Sequence, residues 1–124
     1  MLTVNQSIKT LDNQTITGYR ISSAWANEQH FYFYIQLNTP FEKQQYTTKN
    51  GQHKLVLTFP ATSEKILVKV GMSAVDEKGA ELNLKTELPH WDFNEIRAKT
   101  VKKWDEELNK IAIQLSVVKD IENY

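Results

Sequence analysis

The hydrophobic pattern changes period part-way along the chain, and that change constrains the fold more than any other feature. As far as Met72 apolar residues recur at every second position, the repeat of a half-buried strand. From Ala80 onward they recur at every third or fourth position, the repeat of an amphipathic helix. The strongest strand signal is His30–Leu37, HFYFYIQL, with Phe31, Phe33 and Ile35 on one face and Tyr32, Tyr34 and Gln36 on the other. Leu55, Leu57 and Phe59 alternate within Lys54–Phe59, and Ile66, Val68 and Val70 alternate within Ile66–Met72. Thr3–Ile8 and Thr15–Ala24 read as two further strands. Leu11–Gln14, Asn38–Pro40 and Pro60–Ser63 punctuate the strands with turn residues. Residues 42–53 read as a polar connection with a tight turn at Asn50-Gly51. Strands at this spacing predict a mainly β, antiparallel, sandwich-like fold with one short and one long C-terminal helix. Phe31 and Phe33 are expected in its core, with Tyr32 and Tyr34 on the other face as contact residues.

Ala80–Leu88 allows a short helix stopped before Pro89. Asp92 followed by Glu95 is a capping signal for a second, longer helix. Phe93, Ile96, Thr100, Trp104, Leu108 and Ile111 trace one stripe along it. Glu95–Lys99, Lys102–Glu106, Lys103–Glu107 and Glu106–Lys110 place opposite charges four residues apart. Trp91, Phe93 and Trp104 are the expected anchors of this helix. The expected organisation is a β-sandwich portion over 1–91, with a short helix near 78–88. A linker-type helix over 92–111 follows, and then a final strand from Ala112 with a tail over 112–124.

Composition narrows the function classes. The chain has 124 residues, enough for one domain with a modest core. Fifteen basic residues balance fifteen acidic ones, so no net field draws in nucleic acid or an anionic membrane. There is no cysteine, which excludes disulfides, thiolate metal sites and a thiol nucleophile. No apolar run approaches the roughly 20 residues of a membrane helix. The opening MLTVNQSIKT lacks the basic start and apolar middle of a signal peptide, so the chain as written is expected in the cytoplasm. The Asn5-Gln6-Ser7 and Asn13-Gln14-Thr15 sequons then read as chance matches.

Chemistry-bearing motifs are sparse. His30, His53 and His90 fall in three expected connections, without a helical partner at metal-ligand spacing, and read as exposed loop residues. Glycoside hydrolysis needs two opposed carboxyl groups, but the carboxylates here concentrate on the expected helices at salt-bridge spacing. No catalytic residue is assigned, and no metal ligand. Glycine is too scattered for a phosphate loop, and Ser22, Ser23 and Ser73 lack a nucleophile-elbow setting. Aromatic faces stack on sugar rings, and Trp25, just after a strand, could sit at a rim.

Two blocks of residues carry a resemblance. One is Thr17-Gly18-Tyr19-Arg20, Trp25-Ala26, His30-Phe31-Tyr32-Phe33 and Pro40-Phe41. The other runs from Lys65 through Val70-Gly71-Met72-Ser73 and Trp91-Asp92-Phe93 to the helix with Trp104. In order and spacing they resemble the second half of the amino-terminal β-sandwich of glycoside hydrolase family 92, with its linker helix. These are calcium-dependent exo-α-mannosidases, chiefly bacterial and typically periplasmic or secreted. The resemblance implies that the catalytic carboxylates and the calcium ligands belong to an (α/α)₆ barrel that would begin about where this chain ends. It thus implies an accessory sandwich fragment, inactive alone, with no cofactor of its own. Mannose-containing glycan is the implied partner in the full enzyme, with Tyr19, Arg20 and Trp25 as candidate sugar contacts. A homodimer covering an open sheet face is a further expectation. A stand-alone carbohydrate-binding module and a purely structural domain remain the alternatives.

Overall fold

A computed structural model describes residues 2–111. The chain divides into two compact units, Met1–Trp91 and Asp92–Tyr124. The expected final strand and tail over 112–124 lie outside the described residues.

The first unit contains β1 (Leu2–Thr10), β2 (Thr15–Ser23), β3 (Gln29–Leu37), β4 (Lys43–Lys49), β5 (Gln52–Thr58), β6 (Val68–Ser73) and α1 (Glu77–Glu87). Strands β1-β2-β3-β6 form one antiparallel sheet in that order, and β4 and β5 pair separately. The polar connection expected over 42–53 is therefore corrected: most of it is a strand and a turn. Its β4 residues are all exposed, so no apolar alternation marks them. At the tip, Asn50 and Gly51 both have positive φ, 53° and 75°, the backbone a two-residue hairpin turn of this hand demands.

Pairing register defines the two faces of the larger sheet, because directly opposed residues project to the same side. Tyr34 opposes Gly71 and Thr17, while Phe33 opposes Met72 and Gly18. Helix α1 packs on the Tyr34 side. Tyr34, Ala80 and Leu84 form the buried cluster there, with Leu88 against it. The expectations for Phe31 and Tyr34 are therefore corrected, although the Phe33 face also buries Ile16 and Leu37. Tyr34 is 7% exposed, whereas Phe31 remains 43% exposed. The reason is the chain's route: β6 leads almost directly into α1, which folds back over the face where Gly71 leaves room. A Cβ on Gly71 would stand 2.2 Å from the Ala80 carbonyl oxygen and 2.7 Å from Leu84 Cβ.

Local hydrogen bonds fix the ends of α1. Asp76 Oδ1 accepts from Gly79 N at 2.6 Å, so the helix starts three residues before the first apolar position of its stripe. In its first turn the Glu77 carboxylate lies 3.2 Å from Thr17 Oγ1 and 3.8 Å from Lys9 Nζ, tying α1 to β2 and β1. At its other end Leu88 N donates to Leu84 O at 2.9 Å. On the opposite face of the sheet the Phe33 ring lies over Gly18. The Gln6 side-chain amide donates there to the Gly51 carbonyl of the β4–β5 hairpin.

The second unit contributes α2 (Phe93–Leu108). Asp92 caps it, accepting from Glu95 N at 3.0 Å. The Glu95–Lys99 and Lys102–Glu106 pairs form at 2.7 and 3.9 Å. Lys110 turns to Glu107 at 2.7 Å rather than to Glu106, because the helix ends at Leu108 and the four-residue spacing is lost beyond it. Phe93, Trp104 and Leu108 are exposed.

Candidate functional site

Of the three expected contact residues, two lie side by side on one strand and the third in the following turn. Tyr19 and Arg20 are neighbours on β2 and project to opposite faces. Tyr19 packs on Tyr32 across the strand pair, ring centroids 6.0 Å apart. Arg20, on the other side, donates from Nε to Thr3 Oγ1 at 3.1 Å. Trp25 is fully exposed in the β2–β3 turn. Tyr19 and Arg20 both line a small cavity of about 160 Å³, together with Gln6, Phe33 and His53.

His30 lies in β3, at the start of the expected strand, and His53 lies in β5 rather than in a connection. His30 Nδ1 is 3.2 Å from Tyr32 Oη, and Nε2 is 3.1 Å from Glu28 Oε2. The His53 ring tilts against Tyr46 at 5.5 Å. Among the described residues no group of three His, Asp or Glu side chains could hold a metal ion.

A second cavity, of about 290 Å³, lies at the other end of the Tyr34 face. Its lining combines the Asp12–Gln14 turn, Thr15 on β2, Gln36 and Leu37 on β3, and Trp91 after α1. Register brings these parts together, since Thr15 opposes Gln36 and Gln36 opposes Lys69 on β6. The turn holds itself: Asp12 Oδ1 accepts from Gln14 N at 2.8 Å. Gln14 Nε2 reaches the carbonyls of Leu37 at 3.2 Å and Asn38 at 3.3 Å. Trp91 is held by Lys69, whose Nζ sits 4.1 Å from the ring centroid and donates to the Leu88 carbonyl at 2.9 Å. Burial pushes the Lys69 ammonium below its usual pKa. Asp12 Oδ2 and the Gln36 amide have no protein hydrogen-bond partner among the described residues.

Sequence reasoning placed Trp91 as a helix anchor and passed over Asp12, Gln14 and Gln36. Asp12-Asn13-Gln14 was visible only as a turn. The pairing that sets Gln36 beside it depends on strand register.

Two family models match the chain. The glycosyl hydrolase family 92 N-terminal domain matches residues 2–73, and the glycosyl hydrolase family 92 catalytic domain matches residues 79–123. No curated protein matches it. Among solved structures, the family GH92 alpha-mannosidase from Bacteroides thetaiotaomicron is similar, with a TM-score of 0.74 and 25% sequence identity. The alignment covers 90% of this chain and 18% of that one.

Proposed function

We propose, on the premise that this chain belongs to glycosyl hydrolase family 92, that it is an accessory β-domain portion of an α-mannosidase and cleaves no glycosidic bond by itself. The observation that carries this reading is the N-terminal domain match over residues 2–73, on a fold shared with a family GH92 alpha-mannosidase. The chain spans 18% of that relative's length.

The distribution of carboxylates supports inactivity. Glycosidases of the common kinds hold two carboxyl groups across the scissile bond, about 5–9.5 Å apart. Here Asp76 and Asp92 cap helices. Glu81 and Glu106 meet lysines one helical turn away. Asp12 is the one carboxylate lining its cavity. No described cluster fits calcium, so the metal that the family resemblance implies would be held by residues other than 2–111. The role left to the first unit is to present a surface to a mannose-containing glycan beside catalytic machinery supplied elsewhere.

The test is direct. The purified chain, incubated with calcium chloride and α-mannosides, is expected to release no mannose above a protein-free blank. Sustained release that scales with protein concentration would overturn the reading.

A further inference from the structure

We propose that the cavity between the larger sheet and the β4–β5 hairpin, lined by Ile8, Arg20, Phe33 and His53, is a site for one carboxylate group on a short apolar stem. The stem would lie on Phe33 and Ile8 while the Arg20 guanidinium holds the carboxylate beside the His53 ring. A small carboxylic acid and an acidic side chain of another protein share that chemistry.

Strand pairing and one tertiary hydrogen bond build the cavity. Arg20 opposes Gln6 on β1 and Phe31 on β3, while Gly18 opposes Ile8 and Phe33. These residues therefore share one face of the sheet. The Phe33 ring fills the space that Gly18 leaves, with Cζ 2.6 Å from where a Cβ would stand. The Gln6 side-chain amide donates to the Gly51 carbonyl and ties the hairpin tip to this face, with His53 just past the turn. About 160 Å³ is well below the roughly 300 Å³ at which small-molecule pockets begin. It suits one functional group and a few carbons rather than a ring system.

Charge selects the ligand. No carboxylate lines the cavity. Arg20 donates from Nε to Thr3 Oγ1 and makes no other side-chain bond among the described residues, so both terminal nitrogens are uncommitted. The His53 ring meets Tyr46, but its nitrogens bond nothing among the described residues. A guanidinium fork matches the two oxygens of a carboxylate. The hairpin adds charge of the same sign. Residues 43–58 carry Lys43, Lys49 and Lys54 and no Asp or Glu. None of these lysines is ion-paired among the described residues. Glu42, the nearest acid in sequence, sits at the open end of the hairpin beside Thr58, whereas His53 is near its tip. The whole chain is balanced, fifteen basic residues against fifteen acidic, so this surplus is local. Phe33 and Ile8 disfavour an inorganic ion, which loses hydration on every side when buried. A carboxylate with a stem carries its charge at one end only.

The experiment follows the ring signals of His30, His53 and His90 and the Nε–H signal of Arg20 in the full chain by NMR, at fixed pH and ionic strength. Sodium butyrate is titrated, with butyramide as an uncharged control of the same stem and phosphate as an anion without one. A saturable shift at His53 and Arg20 with butyrate is expected, at a Kd of about 1–10 mM, and none with butyramide. Arg20→Lys keeps the charge without the fork and should weaken binding about tenfold. Arg20→Gln should abolish it. Arg20 is exposed and its side chain bonds only Thr3, so both variants should fold. His53→Gln, read at the Arg20 signal, should also weaken binding and does not depend on their folding. A blocked Ala-Glu-Ala peptide and its Ala-Gln-Ala counterpart tell the two sources apart. Binding of butyrate alone assigns the site to a free acid, and tighter binding of the glutamate peptide assigns it to a protein side chain. A flat response to ~100 mM butyrate, an equal response to butyramide or phosphate, equal shifts at all three histidines, or unchanged binding in Arg20→Gln would overturn the assignment.

Discussion

Replacing Gly71 by alanine tests whether close approach of β6 and α1 holds the first unit together. The added Cβ would lie 2.2 Å from the Ala80 carbonyl oxygen and 2.7 Å from Leu84 Cβ. Neither atom is the far end of a flexible side chain, so α1 must retreat by about 1 Å to restore ordinary contact. A gap of that size forfeits a quarter to a half of each dispersion contact across it. Those contacts belong to Ala80, Leu84 and Tyr34, the buried cluster of the unit. Overpacking a tight core costs about 1–3 kcal/mol, and with so few other buried residues the upper end, about 3 kcal/mol, is expected. A unit of this size holds roughly 5–14 kcal/mol in all, and Tm should fall by about 12–24 °C. Urea and thermal unfolding of the full chain, followed by circular dichroism, would measure it. Gly79→Ala is the control. Its Cβ meets Ser73 Oγ at 2.7 Å and Asp76 Oδ1 at 3.0 Å, side-chain atoms able to give way. Alanine also favours a helix by up to about 1 kcal/mol over glycine, so stability should stay within about 0.5 kcal/mol of the parent. Equal stability of the two variants would refute the close-packing argument.

Two further predictions concern charge and association. Burial disfavours the Lys69 ammonium, so its folded pKa lies below the ordinary 10.5. Protonation then opposes folding at all lower pH, and this group's contribution to stability rises as pH climbs from its folded value towards 10.5; an NMR titration of its Nζ with a midpoint at or above 10.5 would contradict this. Phe31, Val68, Val70 and Met72 leave an exposed apolar strip on one face, and β6 is the outer strand of the described sheet. Concentration-dependent dimerisation is expected by sedimentation velocity, and Val70→Lys should abolish it; a parent chain monomeric at ~1 mM would refute the idea.

How much of this was legible in advance varies with the element. The β3 strand announced itself because aromatic alternation has period two, and α2 because its stripe, cap and ion pairs agree. Strand β4 did not, since an exposed hairpin arm has no apolar face to display. The start of α1 hid behind Glu77, Lys78 and Gly79, a polar first turn that only the Asp76 cap identifies. Tyr19 and Arg20 stand close in sequence and line one small cavity, although alternation sends their side chains to opposite faces, while Trp25 is fully exposed in the following turn. Asp12, Gln36 and Trp91 are far apart in sequence and do converge, through strand pairing and the return of the chain after α1.

The amino-acid sequence by itself determined the class of fold, the order of its main elements and, through its motif blocks, the family. Those properties follow from local periodicity and from residue identities at short spacing. Tertiary structure decided which face of the sheet received the helix, while Ile16 and Leu37 are buried on the other. Both faces of β3 are rich in aromatic and apolar residues, so no local pattern chooses between them. Gly71, opposite Tyr34, leaves the room that α1 needs to approach that side. Helix α1 lies mostly within the stretch matched by the catalytic-domain model, yet it packs on the sheet of the N-terminal domain. Sequence boundaries mark where one pattern gives way to another, whereas a packed core forms wherever apolar surfaces can meet at contact distance.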